Sequence, residues 1–520
     1  MAQFILPGEF AESYKAFEKY PLKLVSNESH SILELKTICK RLRERAQSLL
    51  SDQNTRIPVK DVADDGTALK TNICSDDDLK FWLGDASIPD SQDSSRQTGQ
   101  VATKPDPRCR FISLVNDSVT HPLKISLKSL QRLLAYHQVS PLFLDFLDVY
   151  GSQWAKDREL RFSSFRTETC LINSEAGSIV DGLRRSGRRY QVFYNLKSVS
   201  EKPGNAQSGI ELSWKIRQSA FHHQFDVGTG TQLWIFGDPH EAIKERISNL
   251  IPEQRNHLPK FDTVPASFKT SLDVHLDIGH WSMTGWRRYI AYLEERVEKL
   301  KLYYLEMGRQ SPIDTDVLIE VQGCEDKTNE TIMTLESNAD NLESLSRFYS
   351  ELVQDENFPA KERDACIKAV KKACSRIREL VYETRMQVRR AKILFIQLIQ
   401  SKAASRAEGL SATMWRQAEN SAQETIAMRV ITVVTLLYLP PTFVSTLFST
   451  DIVKYQGDDG PSGAEMFSWM ALQRWLQVSL PLMLVTVLAT FGWVWFDGLK
   501  VKAKAKRLEA EFPDVFQSSK

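Results

Sequence analysis

The distribution of apolar residues along the chain shows two uninterrupted stretches near the C-terminus. Val430 to Thr450 and Leu476 to Phe496 contain no charged side chain. Each is as long as the roughly 20 helical residues that cross a hydrocarbon core of about 30 Å. Tryptophans flank the second stretch, as they do at membrane interfaces: Trp469, Trp475, Trp493 and Trp495. A pair of buried core helices would not need these aromatics, so we predict a transmembrane hairpin over residues 430–498, with spans at about 430–450 and 476–496.

The first half of the chain mixes helix-like and strand-like patterns. A helical period predicts a helix over Ile32–Leu50, and the composition of residues 84–107 (Asp, Ser, Gln, Gly and Pro) predicts a mobile loop. Runs of β-branched and aromatic residues predict strands. These strands are Arg110–Leu114, Arg189–Leu196, Ile210–Ile216 and Gln232–Phe236. We expect one mixed α+β domain over residues 1–284. Because the loop lies inside this region, two separate domains are the alternative.

From Trp286 onward the pattern is helical. Amphipathic helices are predicted over Trp286–Met307 and Lys327–Asp355, and Ala360 to Tyr438 contains no proline and only one glycine, Gly409. A single helix there, continued into the first span, would be over about 100 Å long. It needs neighbours or copies of itself to cover it, as in a coiled coil. We therefore predict a helical stalk over residues 285–429, ahead of the hairpin, and a basic tail over 499–520.

The charges of this stalk are segregated. Residues 325–356 contain nine acidic and two basic side chains, and residues 360–427 contain fourteen basic and seven acidic ones. An acidic helix packed against a basic helix explains this division, and so do two separately solvated faces. The sequence does not choose between these two interpretations.

Overall composition gives the chain no strong partner preference. It is 42% hydrophobic and 26% charged, with a net charge of +1 and a mean hydropathy of −0.32, so nothing suggests a nucleic-acid partner. The seven cysteines are scattered, odd in number and without a C-x-x-C pair, which predicts free thiols in a reducing compartment. The first twenty residues carry three glutamates and no sustained apolar run, so we expect no cleaved signal peptide.

Charge also predicts the orientation of the hairpin. Basic residues follow the second span, and the loop between the spans is mainly acidic, with Asp451, Asp458, Asp459 and Glu465 against Lys454 and Arg474. By the positive-inside rule, both termini face the cytosol (or a matrix) and the loop faces outward. The basic residues that decide this are Lys500, Lys502, Lys504, Lys506 and Arg507.

One face of the first span carries hydroxyl groups. Thr435, Thr442, Thr446 and Ser449 are spaced by 7, 4 and 3 residues, which places them on one side of a helix. The apolar residues on or near the same side are Met428, Ile431 and Leu439. Hydroxyls between apolar rings suit the wall of a cation pore, and small hydroxyl residues are equally common where two membrane helices pack. Both interpretations stay open at this point.

The sequence contains little that points to catalytic chemistry. Gly228-Thr-Gly230 has neither the third glycine of a dinucleotide motif nor the lysine of a P-loop. His222-His223 lies among aromatic residues, which favours a structural role over metal binding. We predict that the protein is not an enzyme and has no organic or metal cofactor.

A long basic helix that continues into a proline-containing span, a short acidic loop, a second span and a lysine-rich tail together resemble the CorA-type magnesium transporters. The segment from Met428 to Phe448 resembles their pore helix without a gap, most specifically at Leu439-Pro440-Pro441-Thr442-Phe443. Upstream stretches resemble fungal CorA-like proteins. They are Leu130–Gly151, Tyr190–Leu196, Trp214–Trp234 and Trp286–Val297.

This resemblance implies a homopentamer in a lipid bilayer, with a funnel-shaped cytosolic domain. Five first spans would line a pore for Mg²⁺, which would be the transported ion and a regulator. The resemblance implies pore-facing positions at Thr425, Met428, Ile431, Leu439 and Thr442, which agree with the hydroxyl stripe.

The outer mouth departs from the family pattern. Ser449, Thr450 and Asp451 occupy the three positions of the Gly-Met-Asn signature. Magnesium loses its water reluctantly, so a filter that holds the hydrated ion is chemically sensible, and five copies of Asp451 could attract such an ion. A divalent cation channel is therefore the first hypothesis, and a non-conducting membrane sensor or scaffold is the second.

Overall fold

The fold is described from a computed structural model of the 520-residue chain. The residues it describes are 4–6, 8–25, 30–86, 101–102, 104–117, 121–151, 162–172, 178–202, 213–252, 259–307, 315–449 and 469–511. They form two compact units, Met1–Ala403 and Ala404–Lys520. The four-part domain division given above stays a prediction.

Twelve strands are present in the described part of the chain. In chain order they are β1 (Phe4–Ile5), β2 (Ile57–Val62), β3 (Ala68–Ile73), β4 (Asp85–Ala86), β5 (Val101–Ala102), β6 (Cys109–Leu114), β7 (Phe165–Cys170), β8 (Ile179–Val180), β9 (Arg185–Ser186), β10 (Arg189–Lys202), β11 (Ser213–Asp226) and β12 (Gln232–Gly237). Seven of them form one sheet in the order β3-β2-β6-β12-β11-β10-β7. Only the β12–β6 pair in this sheet is parallel, so the domain is built on a largely antiparallel sheet.

The centre of the sheet is a long hairpin. Strands β10 and β11 pair over fourteen residues each, from Arg189 opposite Asp226 to Lys202 opposite Ser213. The predicted strand ended at Leu196, which is too early. The chain beyond that point is polar, and its extended form depends on pairing with a partner strand that no local pattern reveals.

Eleven α-helices occur in the same described residues. They are α1 (Gly8–Lys15), α2 (Ile32–Leu49), α3 (Asp76–Leu83), α4 (Leu127–Tyr136), α5 (Leu142–Leu147), α6 (Glu241–Leu250), α7 (Val264–Ser282), α8 (Trp286–Met307), α9 (Thr315–Leu352), α10 (Ala360–Ser449) and α11 (Trp469–Glu511). The predicted helices at 32–50, 286–307, 327–355 and 360–438 are confirmed, with α9 beginning twelve residues earlier than predicted.

Both faces of the sheet are covered. Successive side chains of a strand point to opposite faces, so Phe193 joins the core formed with α1 to α5, while Tyr194 joins the core formed with α6, α7, α9 and the first part of α10. A third core lies among α8, α9 and α10, around Trp286 and Leu335. The mixed α/β fold with long helices that the sequence predicted is therefore present.

The predicted loop at 84–107 contains the short strands β4 and β5, which pair with each other. Residues 87–100 lie outside the described part of the chain. Whether this loop is mobile stays a prediction.

Candidate cation pathway on the first apolar helix

Two helices are long and apolar enough to cross a membrane. Their apolar parts are Thr413–Leu447 on α10 and Leu472–Trp493 on α11. Only a small share of either stretch is buried against the rest of the chain. A core helix of a soluble domain would be mostly covered, so these helices leave their apolar surface for another partner.

The predicted pathway residues all lie on exposed surface of α10. Met428, Ile431 and Leu439 expose 68%, 62% and 65% of their surface, so they do not pack inside this chain. The hydroxyl residues are exposed as well. They are Thr425, Thr435, Thr442, Thr446 and Ser449.

The contact between α10 and α11 falls on the other side of α10. Val444 exposes only 3% of its surface and Pro440 is also buried. At 3.6 residues per turn, Val444 lies about 180° around the helix from Thr435. The hydroxyl stripe is therefore on the face that α11 does not cover.

The α11 side of this contact uses a ridge that includes Trp475 and Ser479. The Trp475 indole Nε1 donates to Ser445 Oγ at 3.1 Å, and Ser479 exposes only 2% of its surface. This pairing accounts for the helix–helix interface within one chain. The contact between the two helices within this chain therefore does not use the stripe, and the choice between a pore wall and a helix–helix interface stays a prediction.

The hydroxyl groups of the stripe present oxygen lone pairs outward. Thr435 Oγ1 donates to the Ile431 carbonyl at 2.8 Å, and Thr442 Oγ1 donates to the Tyr438 carbonyl at 2.5 Å. Thr446 and Ser449 donate in the same way within the helix. Since each hydroxyl hydrogen is used by the backbone, the outward side of each oxygen is an acceptor, which suits a cation and not an anion.

Helix α10 continues through Pro440 and Pro441 and ends at Ser449. Two of the three predicted filter residues, Thr450 and Asp451, lie outside the described residues. The roles assigned to Ser449, Thr450 and Asp451 at the outer mouth stay predictions.

The acidic helix packs against the basic helix, which confirms one of the two interpretations of their charges. Glu336 of α9 pairs with Lys392 of α10 at 2.6 Å, and Glu343 pairs with Arg385 at 2.8 Å. A third pair, between Glu325 and Lys402 at 2.6 Å, is only about one-fifth exposed on each side. These pairs extend along much of the α9–α10 contact within the first unit.

The histidine pair lies inside the domain, as predicted. His222 and His223 are fully buried and point to opposite faces of β11. His223 Nδ1 lies 3.2 Å from both His275 Nε2 and the Tyr349 hydroxyl. Burial lowers the pKa of His275 to about 3, so it is neutral at physiological pH.

The triangle formed by His223, His275 and Tyr349 has spacings that a metal ion could bridge. It has no carboxylate or thiolate to balance a buried divalent charge, and the Tyr194 hydroxyl occupies the other nitrogen of His275 at 2.7 Å. Among the described residues, no cluster of His, Cys, Asp or Glu fits a metal ion. The triangle is a hydrogen-bonded part of the core.

Sequence reasoning missed which helix face the second span would cover. It also missed two buried asparagines of α9, Asn338 and Asn341, which bond to the edge of β10. Their spacing of three residues, next to buried threonines, could have predicted this contact. A polar stripe on an otherwise apolar helix face needs hydrogen-bond partners.

The fold and the two apolar helices define a membrane protein with a large mixed α/β domain ahead of its membrane segment. A model of the CorA-like transporters matches residues 12–303, more than half of the chain. The chain belongs to the CorA-like transporter family.

The chain is also similar, at low identity, to solved structures. The cytoplasmic domain of ZntB from Vibrio parahaemolyticus aligns with 68% of this chain and all of its own length, at 9% identity and a TM-score of 0.31. A search of curated proteins found no match.

Proposed function

We propose that this CorA-like transporter is a divalent cation channel, with Mg²⁺ as the transported ion. The observation that carries the proposal is the outward hydroxyl stripe of α10, which lies opposite the face that α11 covers. Copies of α10 arranged around an axis would turn this stripe into a continuous acceptor surface. A homopentamer, with five first spans around the pore, supplies that arrangement.

The stripe is interrupted by apolar side chains that suit a gate. Exposed Met428, Ile431 and Leu439 lie on or near the hydroxyl face, at intervals of three and eight residues. Rings of such side chains exclude water when they are close together and admit it when they separate. In this proposal the hydroxyls carry the hydrated ion and the apolar rings control its passage.

The mouth of the pore would be formed by Ser449, Thr450 and Asp451. Five carboxylates raise the local concentration of cations by their field, and they can accept hydrogen bonds from the water shell of a hydrated Mg²⁺. The carboxylates would repel one another unless a cation is bound between them. Occupancy by Mg²⁺ and the charge of Asp451 would thus be linked.

The second candidate function is a non-conducting sensor or scaffold with the same fold. The replacement of the usual Gly-Met-Asn signature by Ser449-Thr450-Asp451 favours it. The acidic helix α9 would remain available to bind cations on the cytosolic side, and its ion pairs with α10 would transmit their binding.

The test is Mg²⁺ uptake into liposomes that contain the purified full-length protein and a magnesium-sensitive dye. Uptake that is blocked by hexaamminecobalt(III), a stable complex similar to hydrated magnesium, is the expected result for the wild type. Asp451→Asn should change the rate or the sensitivity to this blocker, while Asp458→Asn in the same loop serves as the matched control. Absence of uptake by a folded oligomer, beside an active control transporter, would leave the scaffold as the better explanation.

A further inference from the structure

A small polar cavity lies in the cytosolic domain, where β10 begins and β11 ends, and takes no part in the proposed pathway. Its volume is about 40 Å³, and three guanidinium groups line it, those of Arg110, Arg185 and Arg189. A cavity of this size has room for about three water-sized oxygen atoms. Because three positive charges repel one another in so small a space, we ask which negative groups balance each arginine.

One carboxylate at the cavity, that of Asp106, contacts two of these arginines, and its Oδ1 has no hydrogen-bond partner among the described residues. Asp106 accepts a hydrogen bond from Arg185 Nε at 2.7 Å and lies 3.5 Å from Arg110 Nη1. Arg110 also forms a two-pronged contact with Asp61, at 3.0 and 3.1 Å. The charges of Arg110 and Arg185 are therefore balanced by Asp61 and Asp106.

The second carboxylate at the cavity, Asp226, is used to hold its own loop. It accepts hydrogen bonds from the amide and the hydroxyl of Ser186, each at 2.7 Å, and from the amides of Gly228 and Thr229 at 3.0 and 2.9 Å. A carboxylate with four donors has little capacity left for a guanidinium. Arg189 stands opposite Asp226 in the β10–β11 register and makes no hydrogen bond with it, although the charges of Glu168 and Asp226 favour the protonated guanidinium.

Two of the arginines at the cavity have N–H donors without a hydrogen-bond acceptor among the described residues. Arg185 exposes only 8% of its surface, and its Nη2 has no hydrogen-bond partner among the described residues. The guanidinium of Arg189, within the part of the chain that the structure describes, makes neither a hydrogen bond nor an ion pair. Burial lowers the pKa of Arg189, although a guanidinium keeps its proton at any physiological pH. Arg189 is half-buried, so its unpaired donors stay open to an anion or to water.

We infer that this cavity binds one phosphoryl group, held by Arg185 Nη2 and by the fork of Arg189. Two guanidinium groups with free N–H donors match the geometry of phosphate oxygens. The unpartnered Gln224 Oε1, also at the cavity, can accept the single proton of hydrogen phosphate. The competing arrangement is a water bridge from Arg189 to Glu168 on β7, whose Oε2 also has no partner among the described residues.

Two sources could supply the phosphoryl group. Inorganic phosphate could enter with three of its four oxygen atoms inside the cavity. The terminal phosphate of a nucleotide could enter as well, because Arg185 also lines an adjoining surface groove of about 370 Å³ with Arg108, Arg184 and Thr229. The two sources differ in whether atoms outside the cavity add to the affinity.

Equilibrium dialysis of radiolabelled inorganic phosphate against the full-length protein in detergent, with EDTA present, tests this inference. Saturable binding is expected for the wild type, and Arg189→Met should weaken it by about tenfold or more, since one charge-assisted contact is lost. Arg188→Met is the matched control, because the Arg188 guanidinium donates to the carbonyls of Leu171 and Asn357 instead. Arg188→Met should bind phosphate as the wild type does.

Arg189→Lys keeps the charge and loses the fork, so it gives a second variant if the methionine variant does not fold. Its binding should be weaker than that of the wild type at an unchanged unfolding temperature. Competition by ATP that is stronger than competition by phosphate, without an effect of AMP, would identify a nucleotide, and equal competition would identify inorganic phosphate. No saturable binding to the wild type, or equal binding by Arg189→Met, would overturn the site and favour the water bridge.

Discussion

Asn338 of α9 completes the hydrogen bonding of Lys197 at the open edge of strand β10. Its Oδ1 accepts from the Lys197 amide at 3.0 Å, and its Nδ2 donates to the Lys197 carbonyl at 2.7 Å. Strand β7 pairs with β10 only as far as Tyr194, so the backbone beyond it has no neighbouring strand on this side. One asparagine side chain therefore replaces a strand and joins the acidic helix to the sheet.

Replacing Asn338 by leucine should weaken this junction. The amide and the carbonyl of Lys197 would both be buried without partners, which costs about 2 to 4 kcal/mol. We expect faster amide hydrogen exchange in the second half of β10, measured by mass spectrometry on the full-length protein. Asn329→Leu on the exposed side of the same helix is the control. Equal protection of β10 in both variants would show that Asn338 is not needed there.

The carboxyl group of Asp238 should make stability depend on pH. Burial raises its pKa to about 6, while the positive charges of Arg217 and Lys244 lower the pKa in part. Its backbone has a left-handed φ of 47°. The folded state thus favours the protonated acid. This residue's stabilising effect is complete below the unfolded pKa of 3.8 and is lost as the pH rises to about 6.

Asp238→Asn should remove this dependence, because asparagine is neutral and tolerates the left-handed region. At pH 8 the variant should be more stable than the wild type by up to about 3 kcal/mol, and at pH 4 the two should be nearly equal. Thermal unfolding in one detergent at both pH values measures the difference. Asp52→Asn, at an exposed position, is the control. A difference between wild type and Asp238→Asn that does not change with pH would contradict the assignment.

The two faces of α10 should differ in access to water. We expect a small cationic thiol reagent to label cysteines placed at Thr435, Thr442 and Thr446 faster than one placed at Val444, which is buried against α11. The labelling of the wild type, which has seven native cysteines, is subtracted from that of each variant. Faster labelling at Val444 than at the threonines would place the water-filled side of the helix on the wrong face.

Much of the secondary structure follows from local pattern, and most of the missing parts follow from tertiary partners. The helical period defines α8 and α10 closely because their apolar faces repeat over many turns. The end of β10 was missed since its polar residues, such as Lys197, are satisfied by groups distant in sequence. Lys197 itself is buried, and its ammonium donates to the Phe162 carbonyl.

The candidate pathway was predictable to the same extent. The spacing of Thr435, Thr442 and Thr446 places them on one helix face whatever the surroundings. Which face of α10 is buried, at Val444 and Pro440, depends on the second apolar helix, and no periodicity of α10 alone contains that information. The outer mouth at Asp451 stays a prediction from sequence.

The central claim is that the hydroxyl face of α10 conducts a divalent cation, and Mg²⁺ uptake by the double variant Thr442→Val, Thr446→Val tests it most directly. The changes keep side-chain shape and remove two rings of acceptor oxygens. Thr486→Val, Thr490→Val on α11 makes the same change away from the stripe and is the matched control. We predict that uptake into liposomes falls strongly in the α10 variant and stays near the wild-type rate in the α11 variant. Wild-type uptake by the α10 variant would contradict the account.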